Sequence, residues 1–297
     1  MSERVRLLRR RDIDVGRWDA AVASDAEPLP YGLSWWLDAT SPRGWNGLVL
    51  GNYEAVLPLA FRFHFGPLGW VARPPFTQQL GPFGQFSPAR IGEFLDRIPR
   101  GYFAPGYALR HGLQSDGFPP RFSPSVRTNL VLDLGASNSA RRAGYSKNVR
   151  RDLRQQGGVV LHTIAPADLL ANYRMHLGEQ VGLKPHHYTI LTNLIRACLE
   201  RGVGRCYRAG DAAGGELLGV LFQVRWRGRQ INLLTASTPL GKKTAGMARA
   251  LDAVFEEARA AGVQLFDFEG SELPGVARFF RRFGAVERNY SLVRWKM

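Results

Sequence analysis

Residues 230–268 read QINLLTASTPLGKKTAGMARALDAVFEEARAAGVQLFDF, and this stretch decides the fold. It opens with an apolar run at 230–236 and passes through a loop of small and basic residues into an amphipathic stretch at 244–261. A second apolar run at 264–268 closes it. Short apolar runs bounded by turn residues are typical of buried strands, and apolar residues spaced three and four apart are typical of helices. The stretch therefore predicts strand, loop, helix and strand, the pattern of an α/β fold.

The segments on either side extend this pattern through the second half of the chain. Three helices come first, then two strands joined by Gly-rich turns, and a last helix and strand follow residue 268. The predicted helices cover 146–156, 168–181, 188–201 and 275–283, and the predicted strands cover 204–209, 217–226 and 285–295.

The first half has a similar plan of strands, loop, helix and strand. Its predicted helices cover 14–22, 33–39 and 88–98, and its predicted strands cover 47–50, 55–61, 68–72, 102–109 and 128–134. A chain of 297 residues is long enough for two domains of about 150 residues each. We therefore predict an α/β protein with mixed sheets and two domains, at 1–136 and 137–297.

The composition favours a basic protein of a reducing compartment. The formal net charge is +15, and arginine supplies nearly all of it, because the chain has only five lysines. Such a charge predicts attraction to polyanions such as nucleic acid, phosphorylated ligands or anionic membrane. No apolar leader and no apolar run of membrane-spanning length occurs. Cys198 and Cys206 have no metal-binding spacing and are interpreted as core residues, so we expect a cytoplasmic protein without a metal.

Three stretches of the second half resemble one known family. YSKNVRRDLR at 145–154, FDFEGS at 266–271 and GVARFFRRFG at 275–284 follow one another in the order seen in Fem-type transferases. These form a branch of the GNAT superfamily of acyltransferases. The resemblance covers about half of the chain, and it implies two GNAT-like domains in tandem, of which the second performs the chemistry. It also implies direct acyl transfer to an amine.

The resemblance further implies a place for the donor. In GNAT enzymes a loop of the form Q/R-x-x-G-x-G/A binds the pyrophosphate of coenzyme A, and this chain has Lys243-Thr-Ala-Gly-Met-Ala248 there. Gly246 and Ala248 match that pattern, whereas Lys243 departs from it. The predicted donor-binding residues are Lys242, Lys243, Thr244, Ala245, Gly246 and Ala248. The alternative is that the small residues serve close packing of the helix on the sheet.

A second basic feature lies on the predicted helix at 146–156. Lys147, Arg150, Arg151 and Arg154 are spaced so that they share one face. One acidic residue, Asp152, interrupts them, whereas a solvated face usually mixes both signs. We interpret the four residues as a binding site for the phosphates of a donor, a tRNA or a lipid-linked acceptor, against the alternative of a plain solvated face.

The catalytic candidates lie at the end of the predicted strand 264–268. Asp267, Glu269 and Ser271 alternate with Phe266 and Phe268, so the polar residues share one side of the strand. One of the carboxylates could accept the proton of the attacking amine. The alternative is that they pair with Arg278, Arg281 or Arg282, or cap the next helix. His186, His187 and Tyr188 are weaker candidates, since such residues often belong to a helix cap.

The sequence is compatible with two kinds of acyl donor and with more than one class of function. The donor is acetyl-coenzyme A or a longer acyl-coenzyme A, or else an aminoacyl-tRNA as in Fem-type enzymes that act on cell-wall or lipid-linked amines. The acceptor is a small-molecule, lipid-linked or peptide-linked amine. A non-catalytic module that binds nucleic acid or another polyanion is the alternative from another class, and peripheral contact with anionic membrane is a further possibility.

Overall fold

The computed structural model describes residues 4–113, 118–154, 158–178, 180–211, 215–269 and 274–296. Strands and helices alternate along the whole of this range. Up to residue 128 the elements are β1 (Val5–Arg9), α1 (Val15–Ser24), α2 (Ser34–Thr40), β2 (Trp45–Leu50), β3 (Ala55–Phe65), β4 (Leu68–Val71), β5 (Phe83–Gly84), α3 (Ile91–Arg97), β6 (Tyr102–Phe103), β7 (Tyr107–Ala108) and β8 (Phe122–Arg127).

The remainder of the chain adds eight strands and seven α-helices among the described residues. They are β9 (Leu130–Asp133), α4 (Asn138–Ala143), α5 (Lys147–Leu153), β10 (Val159–Thr163), α6 (Pro166–Tyr173), α7 (Pro185–Glu200), β11 (Gly204–Asp211), β12 (Leu217–Trp226), β13 (Arg229–Ser237), α8 (Pro239–Lys243), α9 (Gly246–Ala260), β14 (Leu265–Asp267), α10 (Pro274–Arg281), β15 (Val286–Glu287) and β16 (Tyr290–Trp295). A π-helix, Arg174–Gly178, continues α6.

The chain divides into two compact units. The first is Met1–Thr128 with Asn289–Met297, and the second is Asn129–Arg288. The first unit has a sheet in the order β1-β2-β3-β4-β6, with β5 beside β3, and a small sheet in the order β7-β16-β8. Its pairs are antiparallel except for β4 with β6.

The second unit is built on one seven-stranded sheet in the order β10-β11-β12-β13-β14-β9-β15. The pair β13–β14 is parallel and the other pairs are antiparallel. Along the chain β13 is followed by α8, α9 and then β14. Helix α9 is therefore the crossover that a parallel pair of strands requires. The predicted α/β class with mixed sheets is confirmed.

The division of the structure differs from the predicted boundary at residues 136 and 137. The strand predicted at 128–134 is β9, and it pairs with β14 and β15 in the second unit. The strand predicted at 285–295 is two strands, of which β16 pairs with β7 and β8 in the first unit. Long-range hydrogen bonds decide which sheet a strand joins, and a local sequence pattern does not contain them.

Several predicted element bounds also change. The helix predicted at 168–181 is α6 followed by the π-helix. The helix predicted at 244–261 is α9, and the separate short helix α8 precedes it in what was predicted as a loop. Strands β1 and β10 were not predicted. The helix predicted at 146–156 ends as α5 at Leu153, with Arg154 as its C-cap, and residues 155–157 lie outside the described range. The N-cap of α5 is Ser146, whose hydroxyl accepts from the Val149 amide at 3.3 Å.

The core of the second unit lies between the sheet and α9. Phe255 on α9 packs edge-on against Phe266, Phe268 and Phe283, with ring centroids 4.7–5.8 Å apart. All four side chains are buried. Phe266 and Phe268 therefore lie in the core, and these aromatic contacts hold α9 and the segment that follows α10 on the sheet.

A buried ionic cluster joins α4 and α9. The Asp252 carboxylate on α9 accepts from Arg141 at 3.3 Å, from Arg142, and from the Tyr145 hydroxyl at 2.8 Å. The Arg141 side chain is 1% exposed and that of Asp252 is 4% exposed. Burial and the nearby carboxylate raise the pKa of Tyr145, which therefore stays protonated and donates. The cluster balances the Arg141 charge in a place where an unpaired charge would be very costly.

We expect Asp252→Ala to lower the free energy of unfolding by about 3–5 kcal/mol, because it leaves the buried Arg141 charge without its carboxylate. Urea unfolding of the purified chain measures this. Glu256→Ala is the matched control, since Glu256 also pairs with Arg142 but is 40% exposed, and an exposed pair contributes about 0–1 kcal/mol. Equal losses in the two variants would contradict the assignment.

Candidate active site

The sheet of the second unit opens between its two parallel strands. Strands β13 and β14 pair over three residues, from Arg229 opposite Leu265 to Ile231 opposite Asp267. Strand β13 then continues to Ser237 beside β12, while β14 has ended. Within the described part of the chain, no strand pairs with the β14-facing edge of β13 beyond Ile231. Backbone groups along this edge are therefore available to a ligand that enters the opening.

Strand β13 is irregular beside this opening. Phe222 of β12 pairs with Leu234, but the next residue, Gln223, pairs with Asn232, so Leu233 is the additional residue of a β-bulge. The Asn232 side-chain oxygen accepts from Gln223 and from Thr235, each at 2.6 Å. These side-chain hydrogen bonds stabilise the bulge. Bulges are frequent next to active sites, because they redirect one backbone segment without breaking the sheet.

A buried ion pair lies at the closed end of the opening. Nη1 of Arg229 on β13 is 3.4 Å from Oδ2 of Asp267 on β14, and the two side chains are 1% and 0% exposed. Burial raises the pKa of Asp267, and the Arg229 charge opposes that change. Oδ1 of Asp267 also accepts from the Glu269 amide at 2.8 Å. The predicted role of Asp267 as a proton acceptor is not supported by this burial; the side chain joins the strands and positions Glu269.

Glu269 follows β14 at the mouth of the opening. Its φ of 59° lies in the left-handed region, which is uncommon and strained for a residue other than glycine. The residue is half-buried, and its charge is near enough to contribute to the raised pKa of Tyr173, about 12, of which burial is the main cause. A carboxylate on strained backbone, close to a buried tyrosine, marks this place as a candidate catalytic site. Ser271, the third predicted catalytic residue, lies outside the described residues.

The π-helix Arg174–Gly178 contacts β13 and flanks the opening. The Tyr188 hydroxyl from the first turn of α7 lies over Gly178, where an added Cβ would be 1.9 Å away. The Arg174 guanidinium lies 5.5 Å from the centre of the Tyr188 ring. Single π-helical turns are frequent at functional sites. The sequence analysis did not find Tyr173 or this π-helix. The apolar residues of this segment keep the spacing of an ordinary α-helix, so the wider π-helical turn leaves no sign in the sequence.

The histidines beside Tyr188 belong to a helix cap. His187 Nδ1 accepts from the Lys184 amide at 2.9 Å, which completes the capping of α7. The His186 ring packs against His187, with centroids 4.0 Å apart. This arrangement favours the cap alternative for both histidines.

The predicted donor loop has two kinds of residue. Gly246 lies so close to Leu218 that an added Cβ would be 2.9 Å from the Leu218 Cβ, and Ala248 is buried in the core. These two residues serve close packing of α9 on the sheet. Lys242 and Lys243 are exposed at the end of α8, with Thr244 and Ala245 half-buried behind them, and Ala245 is left-handed at the N-cap of α9.

The predicted anion-binding helix forms one wall of a pocket. Tyr145 and Val149 of its inner face are buried, whereas Lys147, Arg150, Arg151 and Arg154 are exposed. The pocket has a volume of about 680 Å³ and lies between α5, α9 and β10. Its charged lining residues are Arg142, Arg150, Arg154, Arg249, Asp252 and Glu256. Lys147 and Arg151 do not line it, and Arg151 contacts Asp152 at 3.2 Å.

Arg249 connects this pocket to the donor loop. It lies in the first turn of α9, lines the pocket and donates to the Thr244 carbonyl at 3.1 Å. Two basic features that are almost 100 residues apart in the sequence therefore lie next to each other. Arg249 was missed because one arginine in an amphipathic helix gives no signal without its neighbours in space.

The described residues contain no group of three or more His, Cys, Asp or Glu side chains that could hold a metal. The cysteines are free and buried, as expected, and burial raises the pKa of Cys206 to about 11. A thiol with such a pKa stays protonated and is a poor nucleophile. Among the described helices, none combines the length and the apolar composition that a membrane span requires.

A comparison with known families gives a match within the second unit. Residues 139–281, just under half of the chain, match the family model "Acetyltransferase (GNAT) domain". The sequence matches no curated protein.

Solved structures match over nearly the whole chain. The crystal structure of FemX has a TM-score of 0.68 at 12% identity and covers 96% of both chains. A C-terminal domain of a putative lysylphosphatidylglycerol synthetase from Agrobacterium fabrum has 0.56 at 10%, covering 94% of this chain and 90% of that one. A tandem GNAT protein from the clavulanic acid biosynthesis pathway has 0.52 at 16%, covering 98% of both. The predicted fold, two GNAT-like domains in tandem, is confirmed.

We expect Gly178→Ala to lower the free energy of unfolding by about 1–3 kcal/mol, because the new methyl group would overlap the Tyr188 hydroxyl. Tyr188→Phe removes that hydroxyl, so the double variant Gly178→Ala with Tyr188→Phe should recover most of the loss. Urea unfolding of the two single variants and the double variant gives the coupling energy. Additive effects would contradict the contact.

Proposed function

We propose that the chain is an N-acyltransferase that uses an acyl-coenzyme A as donor, because residues 139–281 match the family model of a GNAT acetyltransferase domain. The opening between β13 and β14, with Glu269 at its mouth, is the observation that carries this proposal. An amine attacks the thioester carbonyl directly, a C–N bond forms, the C–S bond breaks, and the thiol of coenzyme A leaves with a proton.

The free edge of β13 supports the placement of the reacting carbonyl. Charge develops on the carbonyl oxygen as the amine attacks, and preorganised backbone amides are among the strongest means of stabilising it. The β13 residues beyond Ile231 have lost their β14 partner, so their amides can face the opening. The bulge at Leu233 supplies the local change of direction that aims such an amide at a ligand.

Glu269 is the candidate general base. An amine must be neutral to attack, and a carboxylate within reach of it, directly or through a water molecule, accepts its proton. Asp267 is fully buried against Arg229, which leaves the half-buried Glu269 as the accessible carboxylate of the predicted pair. Asp267 acts as a positioning residue, because it accepts the hydrogen bond of the Glu269 amide.

The donor phosphates are assigned to the exposed cations that follow β13. Lys242 and Lys243 lie at the end of α8, and the largely buried Arg249 lies near them in the first turn of α9. Lysine binds phosphate as a point charge and arginine through two parallel hydrogen bonds. The arginine-lined pocket next to Arg249 extends this positive surface and is suited to a second phosphate group of the donor.

An aminoacyl-tRNA donor is the second candidate, and the same pocket favours it. Four of its lining residues are arginines, and neither Arg150 nor Arg154 forms an ion pair with a carboxylate in the part of the chain that the structure describes. A net charge of +15 suits a long polyanion. A polyanion-binding module without catalysis would use this pocket too, but it would not need Glu269.

We expect Glu269→Gln to lower kcat by roughly 10²–10⁴-fold with little change in the KM of the donor, because it removes proton acceptance but keeps the size of the side chain. The measurement is release of free coenzyme A thiol from acetyl-coenzyme A with a panel of primary amines. Glu200→Gln, at a side chain 63% exposed on α7, is the matched control. Equal rates in the two variants would exclude Glu269 as the base.

We expect Lys242→Ala with Lys243→Ala to weaken donor binding by roughly ten-fold or more, since each lysine supplies a charge to phosphate. Thermal-shift titration with coenzyme A, acetyl-coenzyme A and a longer acyl-coenzyme A measures it. A ligand at 100 times its Kd stabilises the folded state by about 2.7 kcal/mol. Lys296→Ala, an exposed lysine of the first unit, is the control.

The same titration distinguishes the donors. A shift with coenzyme A that both lysine substitutions reduce supports acyl-coenzyme A. No shift with any coenzyme A ligand, together with tRNA binding that Arg150→Ala with Arg154→Ala abolishes, would replace it with the second candidate. Tight polyanion binding without transfer of any acyl group would favour the non-catalytic module.

A further inference from the structure

The first unit exposes an aromatic face on the β3–β4 hairpin. Phe63 is opposite Trp70 and Phe65 is opposite Leu68 in the antiparallel register, and Phe103 of β6 is opposite Trp70. Residues two apart on a strand and their cross-strand partners share one side of a sheet, so all five side chains lie on the same face. We call these five residues the hairpin face.

The hairpin face is unusually exposed for residues of this kind. The exposed fractions are 57% for Phe63, 74% for Phe65, 57% for Leu68, 40% for Trp70 and 44% for Phe103. Isolated exposed apolar residues are normal, but a contiguous group of large ones marks an interaction site.

The opposite side of the hairpin is already occupied by its own neighbours. Phe61 stacks on His64, with ring centroids 4.2 Å apart, and meets Tyr102 edge-on at 5.2 Å. Strand β2 pairs with β3 only as far as Ala60, so the outer part of β3 extends beyond it. The side chains of the hairpin face therefore do not contribute to the core. Their apolar character on an exposed surface calls for another explanation, such as a binding partner.

Two arginines flank the hairpin face. The sequence has no Asp or Glu between Glu54 and Glu93. The Arg62 guanidinium lies 5.4 Å from the centre of the Trp70 ring. Arg100 is exposed next to Gly101, whose carbonyl accepts from the Gly69 amide at 2.9 Å, so it lies beside the hairpin turn. Aromatic side chains with arginines at their edge are typical of surfaces that lie in the interface of a bilayer.

We propose that the hairpin face docks on an anionic lipid bilayer, with its apolar side chains among the acyl chains and the arginines on the phosphates. Anionic headgroups attract basic side chains near the surface, and burial of apolar side chains adds affinity. A second copy of the chain is a weaker occupant. Aromatic side chains bury about 150–250 Å² each when fully covered, and these five are about half exposed. They fall short of the roughly 800 Å² that each partner of a standard interface buries.

Sedimentation with vesicles tests the proposal. We expect the full chain to bind vesicles of phosphatidylcholine mixed with phosphatidylglycerol, and to bind phosphatidylcholine alone much more weakly. Phe65→Ser with Leu68→Ser should lower the affinity by roughly ten-fold or more, because two inserted side chains are lost. Val286→Ser is the matched control: its side chain is 62% exposed and lies in the second unit. Circular dichroism verifies that both variants are folded.

Three outcomes would overturn the proposal. The first is no binding of the unmodified chain to the anionic vesicles. The second is equal vesicle binding by the double variant and the unmodified chain, which would show that another basic surface of the protein contacts the vesicles. The third is a dimer in light scattering that the double variant dissociates, without vesicle binding. Acyl transfer to soluble amines is measured without lipid, so failure here is distinguishable from failure of the proposed function.

Discussion

The short parallel contact of β13 with β14 is the constraint on which the second unit depends. Three residue pairs join the strands, and the fully buried pair of Arg229 and Asp267 holds that end closed. Breaking such a pair leaves an uncompensated charge in the interior, so both residues are required together. A longer pairing would make a more regular sheet, but it would remove the opening in which backbone amides of β13 are accessible. The buried ion pair thus stabilises the sheet directly beside the opening between β13 and β14.

Arginine has three different uses in this chain, and its surroundings determine which one applies. Arg141 and Arg229 are buried beside Asp252 and Asp267 and hold elements together. Arg150 and Arg154 line a pocket next to the donor loop, and other arginines surround the exposed aromatic residues of the hairpin face. The net charge of +15 is therefore a poor guide to partners by itself. An arginine that forms an ion pair with a carboxylate contributes little charge to a ligand, so the unpaired arginines determine how strongly an anion is attracted.

The sequence predicted the part of the site that depends on local spacing. The basic outer face of α5 and the aromatic inner side of β14 follow from periods of 3.6 and 2 residues. The donor loop was placed by resemblance, and the structure shows that Gly246 and Ala248 serve packing there, with Lys242 and Lys243 left exposed. Tyr173 and Arg249 were not found, because their importance comes from neighbours far away in the chain.

What the sequence alone determined is the α/β class, the order of most elements and, for several of them, the residues that face inward. These depend on contacts within a few residues, which patterns of apolar and polar residues record directly. The tertiary structure decided that β9 and β16 join sheets other than the expected ones, and that Asp267 is buried while Glu269 is accessible. Both outcomes depend on hydrogen bonds and ion pairs between distant segments, whose partners are chosen by the register of the whole sheet.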